Sequence, residues 1–277
     1  MSGNKSKIIA FNYFGGKFTW LEYLYSHFPS QINHFVDVFG GSFSVSLNYP
    51  GNGIITANEI NGEVTNFFEV LRDQEAELLR LLNLTPVSKL EYDNCWEPSQ
   101  NKLESARRFY VRARQSFFSL GIQKKNKGWH MAKTQSNARG GETVSKWNNA
   151  LPKLYEVAYK LRQMQITNYH YADCIKKIDF PGAFFYCDPP YVKESRASYN
   201  DYKHEFTTND HIDLADQLHN IKGRAMISGY NSILYEDLYK DWNKVLFPVK
   251  KNNIRSSEVQ EVIWMNYRDT TFNLFNN

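Results

Sequence analysis

The sequence predicts an α/β fold in which helices cover both faces of a largely parallel sheet. Two observations predict it: short apolar segments typical of buried strands alternate with amphipathic helical segments, and the last two strand segments lie close together, as in an antiparallel hairpin. A stretch with helical signals but no confident buried strand interrupts this alternation at residues 84–161. We therefore expect one sheet domain, formed by residues 1–83 and 162–277, with an inserted and mostly helical domain at residues 84–161.

The first part of the chain supplies helices and strands in the order that a parallel sheet requires. The spacing of the leucines in Thr19–Phe28 predicts a helix, and β-prone residues predict short strands at His34–Phe39 and Ile54–Ala57. A helical segment at Phe43–Leu47 separates these strands, and a long amphipathic helix is predicted over Asn61–Leu82. This alternation is typical of a helix-covered sheet.

Strand patterns return after the interruption. Strands are predicted at Gln165–Tyr171, Ala183–Cys187 and Arg224–Ile227. A helical segment at Asp210–Ile221 lies between the last two of these strands. The last two strand segments, Lys244–Pro248 and Val259–Tyr267, are joined by a polar linker and predict the C-terminal antiparallel hairpin.

Composition excludes several classes of protein. Aromatic residues make up 16% of the 277 residues, whereas disordered chains are poor in them. No apolar run is long enough to span a membrane, and the polar N-terminus lacks the apolar core of a secretory signal. The three cysteines show no C-x-x-C spacing, which predicts neither a disulfide framework nor a thiolate metal site. We expect a cytoplasmic monomer with no metal and no membrane partner.

Positive charge is concentrated in residues 107–146, here called the basic segment. It contains ten Lys or Arg residues and a single acid, Glu142, and so carries +9, whereas the whole chain carries +4. Charge of one sign interleaved with aromatic residues is typical of a surface that binds polyphosphate, whereas a solvated helix face usually mixes signs. We therefore expect nucleic acid to bind here, and the candidate contacts are Arg112, Lys124, Lys127 and Arg139.

The most informative motif follows an apolar strand. Asp188-Pro-Pro-Tyr191 comes directly after Ala183–Cys187, at the end of the strand where open α/β sheets bind ligands. The two prolines stiffen the turn and lack an N–H, so the turn offers carbonyl acceptors. A carboxylate, a fixed carbonyl and a flat ring suit a planar ring that bears an exocyclic amino group. For the motif alone, a strand-ending turn with a capping Asp is the alternative interpretation.

With other segments, this motif makes the sequence resemble the Dam-type family of N6-adenine DNA methyltransferases over nearly its whole length. The matching segments, in chain order, are Asn12–Lys17, Phe35–Ser42, Thr56–Asn61, Tyr171–Asp173, Asp188–Tyr191, Phe206–Thr207, Met226–Tyr230 and Glu261–Tyr267. The resemblance implies a Rossmann-like S-adenosylmethionine-dependent methyltransferase sheet, and it implies that residues 84–161 are the target-recognition domain.

The resemblance also implies that S-adenosylmethionine is the cofactor. The residues that match its binding positions are Tyr13, Lys17, Asp37, Phe39, Gly40, Glu59, Asp173 and Asp188. Glu59, which stands where the family most often has Asp, is expected to accept both ribose hydroxyls. Lys17 is expected to pair with the cofactor carboxylate, and Asp173 to accept from the cofactor adenine amine.

The implied catalytic residues are Asp188, Pro189, Pro190 and Tyr191. Asp188 and the Pro189 carbonyl would accept the two N–H bonds of an adenine amine and direct its lone pair toward the sulfonium methyl group, while Tyr191 stacks on the ring. A base inside a duplex cannot reach this turn, so the adenine must be flipped out. No cysteine is needed as a nucleophile, and Cys187 is expected to be a small buried apolar residue.

Two other functions stay open at this point. One keeps the chemistry but changes the substrate to RNA adenine or a protein amide, and the other is a DNA-binding regulator without catalysis. Asp188 and the basic segment favour nucleic acid over protein, and the intact motif speaks against a regulator. The segment Gly121–Gly141 does not closely match the loop that reads GATC in the best-known family members, so the recognition sequence is open, as is a cognate restriction endonuclease as partner.

Overall fold

The computed structural model describes residues 7–13, 15–117, 122, 128–132, 136–137, 140–192, 205–248 and 260–269. Within these ranges the α-helices are α1 (Leu21–Ser26), α2 (Ser44–Asn48), α3 (Gly62–Asp73), α4 (Glu75–Leu84), α5 (Lys89–Asn94), α6 (Lys102–Gln115), α7 (Glu142–Ala150), α8 (Leu154–Leu161), α9 (Tyr171–Ile178), α10 (Thr208–His219) and α11 (Ile233–Leu238). The strands are β1 (His34–Asp37), β2 (Ile54–Asn58), β3 (Ser136–Asn137), β4 (Gly140–Gly141), β5 (Gln165–Thr167), β6 (Ala183–Cys187), β7 (Arg224–Tyr230), β8 (Asn243–Leu246) and β9 (Glu261–Met265).

The chain divides into two compact units, each built from separate pieces of sequence. The first unit consists of Met1–Thr19, Gly40–Tyr49 and Asn61–Asn168, and the second consists of Trp20–Phe39, Pro50–Ile60 and Tyr169–Asn277. The recognition domain proposed at residues 84–161 falls within the sequence of the first unit, and its limits stay a prediction.

The second unit contains a mixed sheet whose strands run in the order β2-β1-β6-β7-β9-β8. β2, β1, β6 and β7 are parallel, and β9 is antiparallel to both β7 and β8. β6 is buried at all five positions, as expected for a strand covered on both faces. The predicted α/β fold class and the C-terminal antiparallel hairpin are therefore confirmed.

Alternation along β1 assigns apolar side chains to both faces of this sheet. Val36 belongs to a core that also contains buried residues of α9, α10 and α11. The ring of Phe35 lies 5.3 Å from that of Phe28, which follows α1, and Phe28 also contacts Phe184 of β6 at 4.6 Å. Helices therefore cover both faces.

The first unit has an aromatic core around Phe11, which is fully buried. Its ring centroid lies 5.5 Å from that of Phe67 in α3 and 5.2 Å from that of Phe109 in α6. The Tyr110 hydroxyl donates to the Ala10 carbonyl at 3.3 Å, and the Tyr110 ring stacks on Phe67. These contacts fix the N-terminal segment around Ala10 and Phe11 against α3 and α6. Tyr13 and Lys17, two predicted cofactor residues, follow it in sequence.

Two predicted elements differ most from the structure, and the others differ at most in their end residues. The long helix predicted over Asn61–Leu82 is broken at Gln74, whose backbone is not helical, so α3 and α4 follow each other while the apolar spacing continues across the break. The strand predicted over Gln165–Tyr171 ends at Thr167, because the His170 side chain accepts from the Ala172 N–H and starts helix α9 instead. Among the helices in the described ranges, none has the length and apolar content needed to cross a lipid bilayer.

Candidate active site

The carboxylate of Asp188 is held at the end of β6 by a neighbouring strand. Cys187, the last residue of β6, pairs with Ile227 of β7, so the next residues, Asp188 and Ser228, lie side by side. The Ser228 hydroxyl donates to Asp188 Oδ1 at 2.7 Å, and Ser228 is buried whereas Asp188 is half-buried. Sequence reasoning missed Ser228, although it lies in a segment, Met226–Tyr230, that resembles the methyltransferase family.

The aromatic residue of the motif is packed in place. The Tyr191 ring lies edge-on to the Tyr230 ring, with 4.5 Å between the ring centroids. Pro189, two residues before Tyr191, is buried. Tyr191 is only 5% exposed, so in this conformation its ring offers little free surface to a base. The rigid turn thus presents the Asp188 carboxylate more openly than the ring.

Two buried carboxylates lie at the carboxyl ends of neighbouring parallel strands. Asp37 ends β1 and is 1% exposed, and Glu59 follows the last residue of β2 and is 7% exposed. Asn58, between β2 and Glu59, donates to the carbonyls of Val38 and Tyr169, each at 3.0 Å, and so fixes this edge of the sheet. Each carboxylate oxygen can accept more than one hydrogen bond, so these two acids are of the chemical type that binds hydroxyls or an ammonium group.

The remaining cofactor candidates of the second unit differ in burial. Phe39 packs its ring against Tyr171 at 5.7 Å and Phe206 at 5.6 Å, so it joins the core beneath the end of β1. Asp173 lies in the first turn of α9 and is exposed. It does not end a strand, because the strand predicted before it stops at Thr167. The role of Asp173 stays a prediction.

In the first unit, Tyr13 packs on a glycine that the backbone requires. Gly41 has φ +53°, and a Cβ added there would lie 3.0 Å from Cδ1 of Tyr13. Gly40 precedes it and accepts from the Phe43 N–H at 2.7 Å, which closes the turn. Lys17 is buried, at 2% exposed, and its Nζ donates to the Gly15 carbonyl at 3.1 Å. A buried lysine of this kind is suited to hold an anion such as a carboxylate.

Replacing Gly41 with Ala is expected to destabilise the protein, because Ala is strained at this φ and its Cβ presses on the Tyr13 ring. We expect a loss of about 1–2 kcal/mol in the free energy of unfolding from the backbone alone. Gly62, where an added Cβ meets nothing within 4 Å, is the matched control. Urea unfolding of Gly41→Ala and Gly62→Ala checks this, and equal stability of the two variants would contradict it.

Comparison with known proteins decides the family. The family model for D12 class N6 adenine-specific DNA methyltransferases matches residues 13–254, which is most of the chain. The chain belongs to this family. It is therefore an adenine-specific DNA methyltransferase, and the family and the class of enzyme predicted from the sequence are confirmed.

Three similar proteins are methyltransferases by name. The Type II methyltransferase M1.LlaDCHI of Lactococcus lactis subsp. cremoris is 28% identical over 275 residues, which cover 91% of this chain and 93% of that protein. The DNA adenine methylase of Serratia marcescens is 24% identical, and the match covers 90% of this chain and 94% of that protein. The Type II methyltransferase M.FokI of Planomicrobium okeanokoites is 24% identical, and the match covers 94% of this chain but 43% of M.FokI.

In this D12-class methyltransferase, acids outside the basic segment neutralise part of its charge. The ion pairs join Arg107 to Glu91 and Glu104, Arg108 to Glu104, and Arg112 to Glu63. The Arg112 side chain is 11% exposed, and its guanidinium lies 5.0 Å from the centre of the Trp96 ring. Arg112, predicted to contact DNA, thus has little free surface for a phosphate. The other three candidates, Lys124, Lys127 and Arg139, lie outside the described residues.

The three cysteines of the methyltransferase are buried, and Cys95 and Cys187 are not activated as nucleophiles. Burial raises the pKa of the Cys187 thiol well above its ordinary value, and burial raises the pKa of Cys95 to about 12. A thiol with a raised pKa carries little thiolate at neutral pH. The position of Cys187 next to Asp188 therefore agrees with the expected role of a small apolar residue.

Proposed function

We propose that this methyltransferase transfers a methyl group from S-adenosylmethionine to the N6 atom of an adenine that has been flipped out of duplex DNA. The observation that carries the proposal is the rigid Asp188-Pro-Pro-Tyr191 turn at the carboxyl end of a buried strand, with its carboxylate fixed by Ser228. Such an edge of an open α/β sheet is where ligands bind.

The buried acids of the second unit fit the chemistry of S-adenosylmethionine. Asp37 and Glu59 supply carboxylate oxygens, each of which has lone pairs for more than one donor, and the cofactor carries two ribose hydroxyls and an ammonium group. We assign Glu59 to the ribose hydroxyls and Asp37 to the methionine side. When bound, the cofactor supplies an electrophilic methyl group on a sulfonium sulfur. Tyr13, Lys17, Phe39, Gly40 and Asp173 keep their proposed cofactor contacts.

At the adenine, the chain acts by accepting hydrogen bonds. Asp188 Oδ1 accepts from Ser228. The other carboxylate oxygen is proposed to accept one N–H of the adenine amine when the base is bound. The Pro189 carbonyl accepts the second N–H, because a proline turn offers acceptors and no donor of its own. Both bonds pull electron density toward the nitrogen, whose lone pair is otherwise delocalised into the ring. Preorganised acceptors of this kind act where charge develops in the transition state.

Flipping the adenine costs a few kcal/mol, and stacking on an aromatic ring returns about 1–3 kcal/mol. We propose that Tyr191 supplies this ring.

DNA affinity is proposed to depend on the sequence-predicted contacts Lys124, Lys127 and Arg139 rather than on Arg112, which is paired with Glu63. Arg139→Ala is expected to reduce the slope of log K against log salt by about one, because one phosphate contact is lost. Arg112→Ala is expected to leave that slope unchanged and to lower the free energy of unfolding by about 1–3 kcal/mol, because Glu63 loses its partner. Titrating a duplex at several salt concentrations checks both variants, and a reduced slope for Arg112→Ala would contradict the assignment.

The experiment that tests the proposed function is methyl transfer from labelled S-adenosylmethionine to unmethylated duplex DNA, followed by nucleoside analysis. The proposal expects the label in N6-methyladenine. Label in RNA or in protein, or no transfer to any polymer, would overturn it.

We also propose that the methyltransferase protects DNA from a cognate restriction endonuclease, since two of the similar proteins are Type II methyltransferases by name. That it acts as a monomer stays a prediction. Digesting the methylated DNA with a panel of methylation-sensitive nucleases identifies the protected sequence.

A further inference from the structure

Two hydroxyl groups and the Asp188 carboxylate form a hydrogen-bonded series beside the Asp188 turn. The Tyr186 hydroxyl lies 3.2 Å from Ser228 Oγ, and Ser228 Oγ lies 2.7 Å from Asp188 Oδ1. Tyr186 and Ser228 are each 1% exposed. The three side chains share one face of the sheet, because Tyr186 and Asp188 are two residues apart in sequence and the parallel register places Ser228 beside Asp188.

The proton count fixes the direction of this series. Ser228 has a single O–H, and the acceptors within its reach are Asp188 Oδ1 at 2.7 Å, the Tyr186 hydroxyl oxygen at 3.2 Å and the Cys187 carbonyl at 3.4 Å. The carboxylate is the nearest of these and, being charged, is the strongest acceptor. The Ser228 oxygen then has lone pairs left to accept the Tyr186 O–H. The order of donation is therefore Tyr186 to Ser228 to Asp188.

We propose that Ser228 is a positioning residue for methyl transfer and that Tyr186 in turn fixes Ser228. A carboxylate can rotate about its last side-chain bond, and a bond to one oxygen stops this rotation and holds the second oxygen in a fixed direction. In the proposed function, on which this inference rests, the second oxygen receives the adenine amine. Ser228 thus acts on the geometry of Asp188 and does not touch the substrate.

The test is the rate of a single turnover at saturating S-adenosylmethionine and duplex DNA, measured beside cofactor affinity by calorimetry and beside the unfolding midpoint. Ser228→Ala is expected to slow the turnover roughly tenfold to a hundredfold, the value of a charge-assisted hydrogen bond, with cofactor affinity close to that of the wild type. Ser228→Thr keeps the hydroxyl and is expected to restore most of the rate. Tyr186→Phe is expected to give a smaller loss than Ser228→Ala, because the direct bond to Asp188 stays.

Tyr267→Phe is the matched control for Tyr186→Phe, since its buried hydroxyl donates to the His27 carbonyl at 2.9 Å. It is expected to lower stability without slowing the turnover. A Ser228→Ala rate equal to the wild-type rate would overturn the inference. The inference would also be overturned if Ser228→Ala and Ser228→Thr were equally slow and both lost cofactor affinity and stability, because that pattern indicates a purely structural role. Asp188→Ala, measured alongside, separates the two proposals: a fully active Asp188→Ala refutes the proposed function, whereas an inactive one with an unchanged Ser228→Ala refutes only the role of Ser228.

Discussion

Asp188→Ala is expected to abolish methyl transfer, with a loss of roughly a thousandfold or more in the single-turnover rate. Asp188 is the only charged group of the rigid turn, and losing an acceptor from a site where charge develops costs roughly 10²–10³ in rate. Asp188→Asn keeps the shape of the side chain but replaces one acceptor oxygen with a donor, so it is expected to be nearly as slow.

The effect of Asp188→Ala must be separated from loss of fold. Asp216→Asn, at an exposed position of α10, is the control for removal of a carboxylate and is expected to keep the wild-type rate. Thermal unfolding and duplex-binding measurements on all three variants show whether the protein is intact. An Asp188→Ala variant that binds DNA and transfers methyl groups at the wild-type rate would contradict the assigned role.

Glu59→Ala is expected to weaken S-adenosylmethionine binding about a hundredfold or more. The buried Glu59 carboxylate is proposed to accept both ribose hydroxyls, and hydrogen bonds to a charged group contribute about 1.5–3 kcal/mol each. Glu59→Asp keeps the carboxylate but shortens its reach by one methylene, and is expected to lose less than Glu59→Ala.

Calorimetric titration with S-adenosylmethionine measures this effect without turnover. Glu77→Gln, at an exposed position of α4, is the matched control and is expected to bind the cofactor like the wild type. If Glu59→Ala bound the cofactor as tightly as Glu77→Gln, the ribose contact would lie elsewhere.

The strands of the sheet were predictable because they are short apolar runs with polar ends. β6 has the predicted limits, Ala183–Cys187, since an apolar run bounded by glycine and a carboxylate has only one place to start and stop. The helix that begins at Tyr171 was not predictable from its apolar spacing. Its start depends on the His170 side chain, which bonds to the backbone two residues later.

The candidate site was predictable in its residues but not in its contacts. Asp188, Asp37 and Glu59 each follow or end a strand, which is a local property of the sequence. The bond from Ser228 to Asp188 joins residues 40 positions apart, and it depends on which strand lies beside β6, a choice that only the sheet order decides.

The positive charge available to bind DNA in the basic segment is smaller than its sequence suggests, for a similar reason. A count over residues 107–146 finds one acid, Glu142, but the folded first unit brings Glu63, Glu91 and Glu104 to the arginines of α6. Charge read along the chain therefore measures composition, and free charge depends on the fold.

The central claim is that the Asp188 carboxylate binds the amine of an extruded adenine. A crystal structure of the methyltransferase with its target duplex and an unreactive analogue of S-adenosylmethionine tests it most directly. We expect the adenine outside the base stack, with one Asp188 oxygen about 2.7–3.2 Å from N6 and the other still bound to Ser228. An adenine that stays paired within the duplex, or an N6 atom that faces other groups while Asp188 turns away, would contradict it.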